Sequence, residues 1–283
     1  MITGANGQLG RELKKLYPDA IGTSHDPSSR FYFPLENPQE IIELLESERP
    51  DILVNCAALT NVDRCENERE YAYKVNGLAV KFMAIECRKI GAKLVQVSTD
   101  HIFDGAVGNY SETTPPNPVN YYGLSKLAGE HFTLSAEENL IVRTSGVFGY
   151  SNNFPLFAYR KLIKGETITA IKGFYSPIHA KNLSKAIMRL IELEQAGVVN
   201  VAGQRISRTE LALMIADLFK LDKNLVKVSD QVPLLKAKRP FDSSLAIDKA
   251  KEMIDFDFFT VESNLGALKQ SIDAVNRGFG KLF

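Results

Sequence analysis

Tyr122 and Lys126 stand four residues apart in Tyr122-Gly-Leu-Ser-Lys126. On a helix, positions i and i+4 share a face. An ammonium beside a phenol favours the phenolate and lowers a tyrosine from its usual value of about 10. Such a tyrosine can pass a proton to or from a carbonyl oxygen. Upstream, Val97-Ser98-Thr99-Asp100-His101 follows an apolar run and places two hydroxyls where a strand should end. Sites in open α/β sheets lie outside the carboxyl ends of strands. Near the amino end, Gly4, Gly7 and Gly10 recur every third residue. Glycines so placed allow a tight strand-to-helix turn and close approach of the backbone to a pyrophosphate. The helix amino terminus then offers N–H groups and positive partial charge to the anion. Each signal alone has an ordinary explanation: a surface Tyr–Lys pair, a strand-end turn rich in Ser, Thr, Asp and Gly, a plain tight turn. Their order along one framework is what gives them weight.

That framework is legible in the hydrophobic pattern. Asp51–Ala58, Lys93–Thr99 and Leu140–Thr144 read as buried strands. Gln39–Ser47, Tyr71–Ile90 and Asn120–Ser135 read as helices between and after them. Buried strands alternating with helices indicate a parallel sheet covered on both faces. The last third differs. Val198–Val201 reads as one more strand, Arg208–Phe219 as a helix, Val226 and Val228 as a short extended piece, Lys236–Pro240 as a basic loop, and Val261–Val275 as an amphipathic helix. Only Met1 to Thr3 precede the first glycine, whereas a strand normally has about five residues. Either the first strand is clipped or the chain starts further upstream.

Composition narrows the function classes. Thirty-four basic residues balance thirty-four acidic ones, where a nucleic-acid binder would show a basic surplus. No apolar run of about eighteen residues suggests a membrane span, and the amino end lacks a secretory pattern. Cys56, Cys65 and Cys87 follow no zinc-like spacing, so reduced thiols in a cytoplasmic protein are expected. The four histidines show no helical metal-ligand pair, and no metal site is expected.

Taken together, ITGANGQLGREL, VNCAALTNVDRCE, VSTDHIFDG, NYYGLSKLAGE, RTSGVFG and KRPFDSSL resemble the blocks of the extended short-chain dehydrogenase/reductases. More narrowly, they are similar to those of the dTDP-4-dehydrorhamnose reductase family, and they run from residue 2 to about residue 245. The resemblance implies a doubly wound Rossmann-type parallel sheet with a smaller mixed α/β C-terminal substrate region. Residues 1–148 would form the dinucleotide-binding part, with 178–202 returning to it. Residues 149–177 and 203–283 would form the substrate region.

It also implies residue roles. Tyr122 would donate the proton, and Lys126 would bind the nicotinamide ribose and lower the tyrosine pKa. Thr99 would hydrogen-bond the substrate carbonyl, with Ser98 as the alternative hydroxyl. Gly4, Gly7 and Gly10 would hold the cofactor diphosphate, with Asn6, Gln8 and Leu9 in the same loop. Leu35 would border the adenine, and Asn55, Cys56, Ala57 and Ala58 the adenosine and ribose. Thr60, Val62, Asp100 and His101 would border the substrate, and Arg239 would meet its diphosphate. Asn76 would support the active-site backbone, while Asp63 and Glu66 would be structural. The implied reaction is reduction of a 4-keto group on a dTDP-linked deoxysugar.

The chain departs from that family in places. His101 stands where a tyrosine is usual, and Gly146 where many members carry tryptophan; Phe148, Tyr150 or Tyr175 could compensate. Glu12 fits one acidic position of a magnesium-dependent dimer contact, but Ser176–Lys181 lacks the other acid. The region past the glycines holds Thr23, Ser24, Asp26 and Arg30. Neutral hydroxyls and an arginine favour NADP(H), with NAD(H) as the alternative. The expected partners are a small nucleotide-sugar and a possible second copy of the chain. Two other readings stand beside the reductase: a sugar-nucleotide epimerase or dehydratase of the same superfamily, and a non-catalytic NADP-binding regulatory subunit resembling the β subunit of methionine adenosyltransferase.

Overall fold

A computed structural model describes residues 1–25, 31–149, 151, 153–229 and 235–278, with side chains to residue 274. Asp26, Arg30 and Tyr150 lie outside the described residues. The strands are β1 (Ile2–Thr3), β2 (Ile52–Asn55), β3 (Lys93–Thr99), β4 (Leu140–Thr144), β5 (Ile168–Ile171), β6 (Phe174–Tyr175), β7 (Gly197–Asn200), β8 (Ile206–Ser207) and β9 (Val226–Ser229). The helices are α1 (Gln8–Leu16), α2 (Pro38–Glu48), α3 (Val62–Asn67), α4 (Arg69–Tyr73), α5 (Ala79–Ile90), α6 (Tyr121–Thr133), α7 (Phe154–Ile163), α8 (Ala180–Glu192), α9 (Arg208–Phe219), α10 (Asp248–Met253) and α11 (Val261–Gly278).

Strands β1, β2, β3, β4 and β7 form one parallel sheet in that order. Alternation along each strand divides its side chains between two cores. Leu53 and Leu94 point into a core with Ile41, Leu45, Val80 and Met83 of α2 and α5. Val54 and Val95 point into the other, with Leu9, Leu13, Leu183 and Ile187 of α1 and α8. Burial on both faces is why these strands read as unbroken apolar runs.

Beyond β1 the chain pairs outward: Ile2 bridges Gly22, and Ser24 bridges Tyr32. It then returns to β2 on the opposite side of β1. The strand order therefore reverses between β1 and β2, and ligands of such sheets bind at that reversal.

The expected helix Tyr71–Ile90 is three pieces, α4, a π-helical turn over Lys74–Leu78 and α5. The helix α8 closes a face of the sheet in a stretch from which only its return to the first part was expected. A separate core joins Leu156, Tyr159 and Leu162 of α7 to Leu211 and Ile215 of α9 and Leu268 of α11. Leu245 to Phe258, expected in the substrate region, pack into the sheet core with α8. Among the described residues, no helix is long and apolar enough to cross a membrane.

Candidate active site

A cavity of about 840 Å³ opens along the carboxyl ends of the strands, from the β1–β2 reversal to the start of α6. Its first wall is the glycine turn. Gly4 adopts φ +62°, and a side chain there would press on the Ala57 backbone at 3.0 Å. A methyl on Gly10 would lie 2.3 Å from the Gly4 carbonyl oxygen, so this glycine lets α1 seat against the turn. Gly7 precedes α1, and no side chain caps the helix amino end. Gly4, Asn6, Gly7, Gln8 and Leu9 all line the cavity. Uncapped amides facing a cleft are what an anionic diphosphate requires. Asn6 is held by its amide donating to Ser24 Oγ at 2.8 Å. Gln8 accepts from Asn153 Nδ2 at 3.0 Å, which ties α1 to the segment before α7.

The second wall follows β2. Cys56, Ala57, Ala58, Thr60, Val62 and Leu35 line it, as expected. Asn55 does not. Its side chain turns into the sheet, accepting from Thr3 Oγ1 at 2.5 Å and donating to Gln96 Oε1 at 2.7 Å. Strand alternation sends it away from the cleft. Gly10 is likewise absent from the wall, being turned towards Gly4. Asn76 sits on the π-helical turn, accepts from Leu59 N at 2.8 Å and donates to Ser125 Oγ at 3.0 Å. It joins the loop after β2 to α6, the backbone support expected of it.

The third wall carries the reactive groups. Thr99, Asp100, His101, Tyr122 and Lys126 line one end. The α6 amino terminus is positioned twice: Asn120 caps it by accepting from Gly123 N at 2.9 Å, and Glu66 accepts from Tyr121 N at 3.0 Å. Asn120 also lies 3.2 Å from His101 Nδ1 and donates to the Lys238 carbonyl at 2.9 Å. Its role was missed in the sequence, although an asparagine just before a helical pattern signals a cap. A methyl on Gly123 would fall 2.0 Å from the His101 carbonyl oxygen, so only glycine lets α6 approach this closely.

Burial pushes the Tyr122 phenol well above its usual range, and Thr99 is the neighbour that draws it back. Lys126, expected to lower that phenol, reaches past it and donates to the Val97 carbonyl at 2.7 Å. Burial brings the Lys126 ammonium down to about 8, with Glu130 opposing the fall. His101 is lowered by burial, with Asp100 pulling the other way and Arg239 and Arg208 adding to the fall. Its ring meets the Tyr122 ring edge-on at 5.4 Å. Ser98, the alternative hydroxyl, also lines the cavity, and its hydroxyl donates to buried Glu130 at 2.5 Å.

The RmlD substrate binding domain pattern matches residues 1–274. The chain belongs to this family. It is 45% identical to a hypothetical dTDP-4-dehydrorhamnose reductase from Sulfolobus tokodaii, whose crystal structure superposes with a TM-score of 0.87 over 92% of this chain and 96% of that one. It is 31% identical to the Bacillus anthracis dTDP-4-dehydrorhamnose reductase in complex with NADP, again with a TM-score of 0.87, covering 95% and 97%. It is also 31% identical to the probable low-salt glycan biosynthesis reductase Agl14 of Haloferax volcanii, covering 95% and 96%.

As an RmlD-family chain, it handles its departures in distinct ways. Tyr175 fills the space beside Gly146, where a Cβ would lie 2.6 Å from its ring. Phe148 is buried in the second core, edge-on to His179. Glu12 is buried and pairs with Lys15 at 2.8 Å. Arg239 does not line the cavity. Asp63 accepts from its guanidinium at 2.9 Å and from Ala237 N at 3.0 Å, which pins the basic loop to α3. The structural role expected of Asp63 is this clamp. Arg208 stacks over Tyr175 at 4.7 Å and has no carboxylate partner among the described residues. At the far end, Ser24, His25, Glu36, Arg64 and Tyr71 also line the cavity. Of these only Ser24 was weighed from sequence, since the others join the cleft through chain reversal rather than spacing.

Proposed function

We propose that this chain reduces the 4-keto group of dTDP-4-dehydro-L-rhamnose, with NADP(H) as the favoured cofactor and NAD(H) second. The observation that carries this reading is that Thr99, Tyr122 and Lys126 share one cavity with an uncapped helix amino terminus. Gly4, Gly7 and the amides of Gln8 and Leu9 would hold the cofactor diphosphate. Cys56, Ala57, Ala58 and Leu35 would border its adenosine, and Ser24 with Asn6 its ribose. When bound, the nicotinamide supplies the hydride for the carbonyl carbon. Tyr122 gives its proton to the carbonyl oxygen, which becomes the hydroxyl of the product. Thr99 holds that oxygen. Lys126 spends one N–H on Val97 and keeps two for ribose hydroxyls. Thr60, Val62 and His101 bound the sugar. Arg239, steadied by Asp63, and Arg208 on Tyr175 bring positive charge for the substrate diphosphate.

The reading includes a cytoplasmic enzyme that pairs as a homodimer. It divides the chain into a dinucleotide part, 1–148 with 178–202, and a substrate part, 149–177 and 203–283, from which the stretch 245–258 returns to the sheet core. The separate core of α7, α9 and α11 supports that division.

Loss of NADPH absorbance on adding dTDP-4-dehydro-L-rhamnose tests the activity, with NADH in parallel. Substrate-dependent oxidation is expected, faster with NADPH. A folded protein that binds NADPH yet oxidises none would overturn the reading and favour an enzyme that recycles its nicotinamide.

The Lys126 ammonium adds a pH prediction. With its value at about 8, the side chain is charged below that pH and neutral above it. The charged form serves the ribose hydroxyls, so kcat/KM for NADPH falls as pH rises through about 8. Tyr122 stays protonated across the same window and does not contribute to the fall. Profiles from pH 6 to 10 check this. A flat line in the wild type, or the same limb in Lys126→Met, would assign the fall to another group.

A further inference from the structure

Asp100 is a buried carboxylate on the cavity wall with no cation paired to it among the described residues. Three hydroxyls hold it instead. Thr99 donates to Oδ1 at 3.1 Å, and Ser145 and Ser243 donate to Oδ2 at 2.7 and 2.5 Å. They come from three separate places: the end of β3, the turn after β4, and the stretch 242–245.

Those places are joined further. Ser145 accepts from Ser176 N at 3.1 Å, and Ser176 accepts from Leu245 N at 3.2 Å. Ser243 N donates to the Phe174 carbonyl at 3.0 Å, and Asp242 N to the Gly105 carbonyl at 3.0 Å. One carboxylate therefore sits where the sheet, β6 and the stretch 242–245 meet.

A buried charge held only by neutral donors is costly, and such groups concentrate at functional sites. A neutral amide or hydroxyl could join the same segments at less cost, so the charge calls for its own account. Asp100 lines the same end of the cavity as Tyr122. That phenol is surrounded by Thr99 and Asp100, the His101 ring, Cys65 of α3 and Lys126 of its own helix. His101 in turn faces Asp100, Asn120, Arg208 and Arg239.

We infer that Asp100 is a positioning residue whose carboxylate ties Thr99 to the stretch 242–245 and sets a fixed negative charge beside the Tyr122 phenol. Substrate seating and the proton donor are thereby held by one group. The inference rests on the reductase reading for its kinetic half only.

Two variants of the full chain separate the tie from the charge. Asp100→Asn keeps the shape and removes the charge. Without the carboxylate the phenolate is less disfavoured, so the limb that the phenol sets in kcat, above the pH 6 to 10 window in which Lys126 titrates, moves down by about one pH unit. Ser243→Ala keeps the charge and cuts one tie. The limb stays in place, while KM for the nucleotide sugar rises about threefold to tenfold, the scale of one hydrogen bond. In Ser243→Ala, amide hydrogen exchange at Ser243 and Leu245 quickens in the free protein.

Unchanged exchange in Ser243→Ala would overturn the tie. An unshifted limb in Asp100→Asn, or an equal shift in Ser243→Ala, would overturn the charge role. Exchange needs no substrate, so it still decides the tie if the wild type proves inactive on this sugar. Should Asp100→Asn not fold, Ser243→Ala still tests the tie by exchange and KM.

Discussion

Tyr122→Phe is expected to lower kcat by about 10²- to 10⁴-fold, the usual contribution of a positioned general acid. NADPH affinity should stay near wild type, because the groups proposed for the diphosphate lie on the β1 turn and α1. The ring of the variant keeps its packing against His101, which meets Tyr122 edge-on at 5.4 Å. Only the hydroxyl is lost, and with it the proton that the carbonyl oxygen needs. Thr99 cannot replace it, because an aliphatic hydroxyl is a far weaker acid than a phenol. Single-turnover oxidation of bound NADPH, read beside a fluorescence titration of NADPH binding, separates the two effects. A large loss of affinity with unchanged turnover would show that the phenol binds cofactor rather than supplying a proton.

Glu130→Ala is expected to destabilise the protein by about 3–5 kcal/mol, the cost of leaving a buried partner uncompensated. Glu130 receives the Arg143 guanidinium through Nη2 at 2.8 Å and the Ser98 hydroxyl at 2.5 Å. Arg143 lies on β4 with only 5% of its side chain exposed. The pair sits directly behind the strand end that carries Thr99. Glu130 also supports the Lys126 charge. Its removal should therefore move the alkaline fall in kcat/KM to lower pH as well as lower the denaturation midpoint. Denaturant unfolding together with the pH profile tests both. A variant of wild-type stability would mean that Arg143 finds another partner; Glu112, whose carbonyl lies 3.2 Å away, is the nearest acceptor.

Some positions were readable because local chemistry alone decides them. The runs Lys93–Thr99 and Leu140–Thr144 match β3 and β4 residue for residue, and Arg208–Phe219 matches α9. Apolar periodicity is a property of neighbouring residues, and it survives folding when both faces of a strand are covered. The glycine turn belongs to the same class, because positive φ at Gly4 and the close seat at Gly10 depend on a missing Cβ. The Tyr122–Lys126 spacing likewise places both groups on one helix face.

Which way a side chain points, and what it meets, required the tertiary structure. Asn55 belongs to the right segment, yet its neighbours Thr3 and Gln96 draw it into the sheet. Ser98 and Thr99 are adjacent hydroxyls on the cavity wall, and strand alternation gives one to Glu130 and the other to Asp100. Arg239 was visible as a cation, but its partner Asp63 lies 176 residues earlier. Asp100 was visible as an acid, but the hydroxyls that surround it come from as far as Ser243. By itself the sequence determined the sheet, the glycine turn and the Tyr122–Lys126 pairing on one helix face, since each depends on local spacing and backbone freedom. The charge balance around that pair was decided only in three dimensions, because burial and long-range partners set the energy of every ionisable group in the site.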